Sequence, residues 1–345
     1  MNISLISFTR KGGLLNKKLN NILINIGHKC ESYSIDKYAK ELDILSINNS
    51  LKDWTKNNFE EKEAIIFISA TGIAVRSIAP FIKSKDLDPA VIVIDEGGKF
   101  VIPILSGHIG GANNLSKEIS KEIKATEVIT TATDINNSFA VDNFAVKNNL
   151  HICDIKKIKY ISSKILDGEV IPLYTEYKVE GNLPKEITLS NNGDTGICIS
   201  LSEKDIFKNT FNLIPKVITI GIGCKKNTPI ENIEELVFCV LKENNISIYS
   251  VKMIASIDLK KEEQGLIEFC NKYNIKFNVY SSEELKAIEG EFTESSFVKS
   301  VTGISNVCER AAVKGSNLGE LIVRKQARNG VTVAIAKEDW SVSFE

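Results

Sequence analysis

Short apolar runs rich in β-branched residues alternate along the chain with stretches of helical hydrophobic period. The run EAIIFIS (63–69) precedes the helix-like IAVRSIAPFI (73–82), and VIVID (91–95) and VIPIL (101–105) follow as further strands. The loop SGHIGG (106–111) then leads into the helical pattern ANNLSKEISKEIK and the strand-like EVITTATD. Strands that alternate with helices in this way predict an α/β fold with largely parallel strands.

The pattern weakens after residue 145 and recovers after Pro215. KIKYISSKIL (157–166) is helix-like, whereas VIPLYTEYKV and GICISLS are short strands between Asn- and Gly-rich turns. From KVITIGIG (216–223) strands and helices alternate again, and Asn329-Gly330 between two β-like runs predicts a hairpin. The expected fold class is therefore α/β, with two α/β units of mainly parallel sheets, over 1–145 and 216–345, joined by a small α+β middle domain over 146–215.

Composition limits the classes of partner. The 345 residues are 43% hydrophobic and 25% charged, with a formal net charge of -1. The protein therefore has no net positive charge that would attract nucleic acid or an anionic membrane. Seven scattered cysteines form no C-x-x-C pair, which disfavours a disulfide framework and a zinc ribbon. No apolar run approaches 18 residues. We expect a cytoplasmic protein that binds neither nucleic acid nor membrane.

Four glycine-containing loops stand where strands pass into helices, the position at which α/β sheets bind ligands. They are ATGIAVR (Ala70–Arg76), SGHIGGAN (Ser106–Asn113), GIGCKKNT (Gly221–Thr228) and VTGISNVCER (Val301–Arg310). In the third, Thr228 as N-cap, Pro229 at the first helical position and Glu231 predict a capping box. One helix N-terminus contributes only about 0.3 to 1 kcal/mol when exposed, so several loops would have to converge on a multiply charged ligand.

Each of these features also has a structural interpretation. Glycines at such junctions commonly serve chain geometry. A lone histidine such as His108 is often a hydrogen-bonded loop residue, and Glu309 and Arg310 also fit a solvated pair. Cys224 and Cys308 are better explained as small buried residues that fill space in the core than as nucleophiles. Neither G-x-G-x-x-G nor the P-loop pattern occurs, because Lys226 stands at the sixth position of GIGCKK, so a nucleotide site has no motif support.

Taken together, LSGHIGGAN, ITTATDINNSFAVD, GIGCKKNTP and VTGISNVCERAA resemble the cobalt-precorrin-5A hydrolase family of the anaerobic cobalamin pathway. The resemblance covers essentially the whole chain. The third motif departs from the family pattern, because Lys225 stands where Arg is usual and Asn227 where Gly is usual. Lysine keeps the charge but lacks the planar fork that binds a carboxylate through two hydrogen bonds.

The resemblance implies a reaction and a substrate. Such enzymes open a δ-lactone on a ring-contracted cobalt tetrapyrrole and release a two-carbon unit as acetaldehyde, giving cobalt-precorrin-5B. The flat macrocycle carries many acetate and propionate carboxylates, which suits the requirement for a multiply charged ligand. Cobalt would arrive inside the substrate, so we expect no cofactor and no protein metal site, and handover to other corrin-pathway enzymes is possible.

The resemblance supplies no firm catalytic residues, and the assignment rests on the loops. We hypothesise that His108 is a general base on water and serves both the lactone and the carbon–carbon step, with Glu309 as the second acid/base candidate. The N–H groups of Gly107, Gly110 and Gly111 would hold the oxyanion. The expected substrate-binding residues are Thr71, Gly72, Arg76, Ser106, Gly107, Gly110, Gly111, Asn113, Thr131, Asp134, Gly221, Gly223, Lys225, Lys226, Thr228, Thr302, Gly303, Asn306 and Arg310, with the arginines and lysines as carboxylate clamps.

Two other functions stay open at this point. A non-catalytic corrinoid carrier would bind a labile intermediate and pass it on, and a stand-alone relative of the C-terminal domain in the aerobic route is compatible with a binding role for that domain. An enzyme would therefore need the N-terminal loop. A nucleotide-using enzyme is disfavoured by the missing motifs.

Overall fold

The computed structural model describes residues 1–47, 50–84, 87–135, 138–295, 300 and 302–345. Val301, the first residue of the fourth predicted loop, and residues 136–137 of the second motif lie outside the described residues. The chain divides into two units, Met1–Asn143 and Phe144–Glu345. The sheets of the predicted middle and C-terminal domains both lie in the second unit.

Strands and helices alternate through the first unit. The strands are β1 (Asn2–Ser7), β2 (Lys29–Ser34), β3 (Leu45–Ser46), β4 (Ala64–Ile68), β5 (Ala90–Ile94), β6 (Phe100–Leu105) and β7 (Thr126–Glu127). The helices are α1 (Arg10–Asn25), α2 (Asp36–Leu42), α3 (Leu51–Glu61), α4 (Thr71–Ile78), α5 (Ala112–Ile123) and α6 (Ala132–Ile135), and α7 (Val141–Lys147) begins in this unit and continues into the second.

One sheet of order β3-β2-β1-β4-β5-β6-β7 forms the centre of this unit. Strands β1 to β5 pair in parallel, and β4 and β5 are buried along their whole length, as expected for strands covered by helices on both faces. Strand β6 runs antiparallel to β5, with Leu105 opposite Val91 and Val101 opposite Ile94. The end of β6 therefore lies at the edge where β4 and β5 begin.

The second unit contains more strands than helices. Its strands are β8 (Leu150–Ile152), β9 (Ile171–Thr175), β10 (Lys178–Glu180), β11 (Ile187–Leu189), β12 (Thr195–Ile199), β13 (Asn209–Pro215), β14 (Ile218–Cys224), β15 (Val251–Ile257), β16 (Lys276–Tyr280), β17 (Glu320–Arg328), β18 (Val331–Lys337) and β19 (Ser341–Ser343). Its helices are α8 (Lys156–Leu166), α9 (Ile230–Glu243), α10 (Gln264–Lys272), α11 (Ser282–Lys286) and α12 (Cys308–Gly315).

Two five-stranded sheets organise this unit, of orders β11-β9-β12-β13-β8 and β16-β15-β14-β18-β17. In the second of these, β14, β15 and β16 are parallel, and β17 and β18 form an antiparallel hairpin. Cys224 at the end of β14 lies opposite Val331, directly after the Asn329-Gly330 turn. The carboxyl ends of β14 and β15 and this turn therefore share one edge.

The structure confirms the α/β class with mainly parallel sheets and the Asn329-Gly330 hairpin. The predicted capping box at the start of α9 is wrong. The helix begins at Ile230 with Pro229 as N-cap, and no side chain caps it. Thr228 instead donates its hydroxyl to the carbonyl of Lys225 at 2.8 Å.

Candidate functional site

The SGHIGG loop joins β6 to α5 through a tight turn. Ser106 has a positive φ of 54° and Gly111 one of 82°. The carbonyl oxygens of Ser106 and Gly107 accept the N–H groups of Ala112 and Asn113 at 3.1 and 2.9 Å. The loop is thereby closed onto the first turn of α5.

Backbone geometry decides which glycine N–H groups of this loop can bind an anion. The N–H of Gly111 donates to the carbonyl of His108 at 2.9 Å, so its predicted role in holding an oxyanion is wrong. Among the described residues, the N–H groups of Gly107 and Gly110 have no hydrogen-bond partner. A Cβ on Gly107 would lie 2.7 Å from Oδ1 of Asn113, so a larger residue at this position would displace the Asn113 amide.

His108 lies between two carboxylates. Its Nδ1 is 3.0 Å from Oδ2 of Asp142, and its Nε2 is 2.8 Å from Oδ2 of Asp134. The side chains of His108, Asp134 and Asp142 are 11%, 16% and 10% exposed. An imidazole that donates from both nitrogens is the imidazolium form, and the two carboxylates stabilise its charge.

Asp134 has further donors around it. The Asn113 amide donates to its Oδ2 at 3.0 Å and approaches the hydroxyl of Thr131 at 3.4 Å. The ammonium group of Lys117 lies 3.8 Å from Oδ1 of Asp134. The structure therefore brings together the predicted residues of the second loop and of the following motif around His108.

The surroundings of His108 favour its protonated form. The hydrogen bond to Asp142 raises the pKa of His108 to about 8, although burial opposes the shift, and Asp134 adds to the increase. Burial favours a higher pKa for Asp142, but the hydrogen bond and charge of His108 outweigh this effect and lower it. His108 would have to lose a proton before it could act as the general base that the sequence suggested.

The other predicted loop of this unit lies at the opposite edge of the sheet. Thr71 and Gly72 follow the carboxyl end of β4, whereas the loop around His108 follows β6, which runs the other way. Arg76 is exposed beside Lys52 in a shallow hollow of about 450 Å³. The predicted residues Thr71, Gly72 and Arg76 therefore do not lie with the loop of His108, because β6 is antiparallel to β5.

A cleft of about 1080 Å³ opens in the second unit at the carboxyl ends of β14 and β15. The third predicted loop contributes Gly223, Lys225 and Lys226, and the fourth contributes Thr302 and Asn306. The turn after β17 forms a further wall. These two loops do converge, as expected of strand-to-helix junctions in a parallel sheet.

Positive side chains outnumber the carboxylates of Glu262 and Glu263 in the lining of this cleft. Within the described residues, the ammonium groups of Lys225, Lys226 and Lys325 form no ion pair. Lys260 is paired with the buried Glu263 at 3.0 Å, and Glu263 also accepts the N–H of Thr228 at 3.2 Å. The cleft therefore offers several uncompensated cations to an anionic ligand.

The glycines of these loops allow close packing beneath the cleft. A Cβ on Gly221 would lie 1.8 Å from the carbonyl oxygen of Cys308, and one on Gly223 would lie 2.7 Å from the hydroxyl of Thr332. Gly303 has a φ of 77° with open space around its Cβ position. Gly221 thus serves the contact between β14 and α12, and its contribution to ligand binding is indirect.

Two cysteines line the cleft, and neither has the character of a nucleophile. Burial raises the pKa of Cys224 to about 11. Burial likewise raises the pKa of Cys308 to about 11. Both thiols are therefore protonated near neutral pH, which agrees with a packing role for these residues.

Glu309 and Arg310 are engaged inside the protein. Glu309 is fully buried and accepts the N–H groups of Thr293 and Lys325, both at 2.7 Å. Arg310 donates to three backbone carbonyls, among them that of Ile288 at 2.6 Å, and its guanidinium carbon lies 4.4 Å from the ring centre of Phe292. These contacts favour structural roles for both, in place of an acid/base and a carboxylate clamp.

Sequence reasoning missed four residues of these sites: Asp142, Lys260, Glu263 and Lys325. Asp142 ends the motif ITTATDINNSFAVD but stands 34 positions after His108, so its contact with the histidine depends on the folded chain. The other three lie on elements distant in sequence from the loops, and only the pairing of β14 with β15 and β18, and of β18 with β17, brings them to the cleft.

Two negative findings concern metals and membranes. In the described ranges, no group of three or more His, Cys, Asp and Glu side chains has the arrangement of a metal site. No helix in that part of the chain is long and apolar enough to cross a bilayer.

Two protein-family models match the chain. Residues 53–134 match the model described as "Cobalamin synthesis G N-terminal", and residues 218–336 match "Cobalamin synthesis G C-terminus". The first match contains the loop of His108 and Asp134, and the second contains the cleft.

Similar proteins cover nearly the full length. A cobalt-precorrin-5A hydrolase from Priestia megaterium is 31% identical over 96% of this chain and 94% of its own length. One from Salmonella typhimurium is also 31% identical, over 96% of this chain and 97% of its own. A crystal structure of a cobalamin biosynthesis protein G homologue from Sulfolobus solfataricus is 25% identical, with a TM-score of 0.43 and coverage of 97% of each chain.

Proposed function

Because the chain belongs to the cobalt-precorrin-5A hydrolase family, we propose that it hydrolyses cobalt-precorrin-5A. The reaction opens the δ-lactone of the ring-contracted cobalt tetrapyrrole and releases acetaldehyde, giving cobalt-precorrin-5B in anaerobic cobalamin biosynthesis. The observation that carries this assignment is the 31% identity over 96% of the chain, which includes both units and so both of the sites described above.

The cleft of the second unit suits the carboxylates of such a substrate. Lys225, Lys226 and Lys325 provide cations without an ion-pair partner in the described part of the protein. The volume of about 1080 Å³ is at the upper end of small-molecule sites. We therefore assign recognition of the peripheral acetate and propionate groups to this cleft.

The cobalt is part of the substrate, and we propose that the enzyme has no cofactor or metal centre of its own. Two of the three histidines have partners unrelated to any metal: His28 lies 3.0 Å from Glu118, and His151 stacks on Tyr249 with ring centres 3.8 Å apart. We also propose that the enzyme works in the reducing cytoplasm, where other corrin-pathway enzymes make its substrate and take its product.

An assay of acetaldehyde tests the function directly. The purified protein is mixed with cobalt-precorrin-5A under anaerobic conditions, acetaldehyde is measured with an alcohol dehydrogenase, and the tetrapyrrole mass is followed in parallel. We expect stoichiometric acetaldehyde and the matching loss of mass. Tight binding of the tetrapyrrole without either change would refute hydrolysis and leave a carrier function.

A further inference from the structure

His108 is held as an imidazolium at the end of β6, and this arrangement suggests its role in the reaction. We propose that His108 enters catalysis as an acid, donating its Nε2 proton to the alkoxide released on lactone opening, and then acts as the base of the carbon–carbon step. Asp142 is the positioning residue that keeps His108 protonated and oriented. This inference rests on the proposed function.

The two ring nitrogens are not equivalent. Asp142 lies on the Nδ1 side at 3.0 Å with its side chain 10% exposed, and it also accepts the N–H of Asn143 at 3.1 Å. Asp134 lies on the Nε2 side and is more exposed, at 16%. A carboxylate at Nδ1 with a working Nε2 is the usual division of labour in hydrolytic Asp–His pairs.

Asp134 also keeps other partners when Nε2 of His108 donates its proton to another acceptor. Its Oδ2 keeps the amide of Asn113 at 3.0 Å, and its Oδ1 keeps the ammonium group of Lys117 at 3.8 Å. An oxygen of the substrate can therefore replace Asp134 as the acceptor of the Nε2 proton without leaving that carboxylate unpaired.

The first step consumes the proton of His108. Water adds to the lactone carbonyl and forms a new carbon–oxygen bond, the ring carbon–oxygen bond breaks, and the departing alkoxide takes the Nε2 proton. The acid formed from the acyl group loses its protons to solvent. His108 is left neutral beside the new alcohol, with a lone pair on Nε2.

The second step returns that proton. Neutral His108 removes the proton of the alcohol, the oxygen lone pair forms the carbonyl of acetaldehyde, and the adjacent carbon–carbon bond breaks. The electron pair of that bond stays in the conjugated cobalt macrocycle. The imidazolium is restored, so one residue serves both steps and no external oxidant or reductant is needed.

The charged groups that face His108 are few in the described residues. Asp142 approaches from α7, Asp134 from α6, and Lys117 from α5 through Asp134. Asp88, whose carbonyl accepts the hydroxyl of Ser106, directs its carboxylate to the N–H of Lys83. The two aspartates therefore favour the protonated form of His108, and burial opposes them.

The proposed mechanism requires that His108 is protonated in the free enzyme. The value of kcat/KM should therefore fall as the pH rises through the pKa of His108, which Asp142 raises to about 8. Replacement of Asp142 by Asn removes the charge that raises this pKa. In Asp142→Asn the decline of kcat/KM should therefore begin at lower pH than in wild type, with Asp134 still favouring the protonated form. His108→Gln should lower kcat by about 10²- to 10⁴-fold and abolish this decline.

The experiment measures acetaldehyde release against pH together with the NMR titration of the three histidines. His28→Gln and His151→Gln assign the other two resonances and should leave kcat within about twofold, because neither residue lies at the proposed site. Thermal unfolding checks that each variant is folded. The expected result is a parallel shift, in Asp142→Asn, of the His108 titration and of the alkaline decline in kcat/KM.

Two outcomes would overturn the proposal while leaving the hydrolase assignment intact. One is a shifted His108 titration with an unchanged pH profile of kcat/KM, and the other is near wild-type turnover in folded His108→Gln. A wild-type protein that releases no acetaldehyde at any pH would instead refute the proposed function, and this inference with it.

Discussion

Glu309 shows how burial changes the interpretation of a charged residue. Its carboxylate accepts two backbone N–H groups, from Thr293 and Lys325, and the hydroxyl of Thr293. Glu309→Ala leaves these donors buried without a partner, at about 1 to 3 kcal/mol each. We expect a marked loss of thermal stability, with turnover per folded molecule close to wild type.

The matched control is Glu320→Ala in the same unit, because the Glu320 side chain is 72% exposed and 3.8 Å from Lys337. That variant should change the thermal midpoint little, since exposed pairs contribute about 0 to 1 kcal/mol. A stable Glu309→Ala protein with turnover reduced a hundredfold would restore Glu309 as a catalytic candidate.

The lysines of the third loop are expected to act on affinity. Lys225 and Lys226 are exposed in the cleft and have no ion-pair partner within the described residues. Each contact with a substrate carboxylate should contribute about 0.2 to 1 kcal/mol, so Lys225→Ala with Lys226→Ala should weaken tetrapyrrole binding by about 2- to 30-fold. The free energy of unfolding should stay nearly constant.

Lys242→Ala provides the control for this pair. Lys242 is exposed in the last turn of α9, at the opposite end of the helix from the cleft. It should bind the tetrapyrrole like wild type, and the affinity of the double variant should depend less on salt. Equal affinity of wild type and double variant in a fluorescence titration would place the carboxylates elsewhere.

At the level of elements, the direction of one strand decides which loops meet. Hydrophobic pattern predicts that residues 101–105 form a strand, but it does not give the strand's direction. The connection from Asp95 to Lys99 is too short for a parallel crossover, so the sequence did contain the signal for an antiparallel β6. An antiparallel β6 places the loop of His108 at the sheet edge opposite the Ala70–Arg76 loop, so these two predicted loops are separated.

The packing of α12 on β14 depends on Gly221. In Gly221→Ala the new Cβ would lie 1.8 Å from the carbonyl oxygen of Cys308, so the helix must move away from the sheet. Overpacking against backbone costs about 1 to 3 kcal/mol or more, and the displaced helix carries one wall of the cleft. We expect a lower thermal midpoint together with weaker tetrapyrrole binding.

Gly72→Ala is the companion variant, because a Cβ there meets only the flexible end of Arg76 at 3.4 Å. Gly72 lies within α4, where alanine is favoured over glycine by up to about 1 kcal/mol. It should be neutral or stabilising. A Gly221→Ala protein as stable as wild type would contradict this prediction, because it would show that α12 can move away from β14 without a loss of stability.

Over the whole molecule, the sequence predicted the α/β class, the loops around His108 and the two loops that meet at the cleft. It did not predict the hydrogen bonds of His108 and Glu309, because these join residues between 16 and 34 positions apart that only the folded chain brings together. Loop composition identifies the positions of a site, whereas tertiary contacts decide which side chains there remain free to act.

The chain as a whole is expected to be stable without disulfides or bound metal. The seven cysteines are all free thiols, and burial raises the pKa of Cys270 to about 12, so this thiol is protonated and weakly reactive. Because the cysteines are free thiols and we propose that the enzyme has no metal centre of its own, dithiothreitol or EDTA should leave the thermal midpoint within about one degree of the untreated value. Scanning calorimetry with each reagent, and with both removed by dialysis as the control, measures this directly. A fall of ten degrees with either reagent would reveal a structural disulfide or a metal site, because loss of such a constraint typically costs 2 kcal/mol or more.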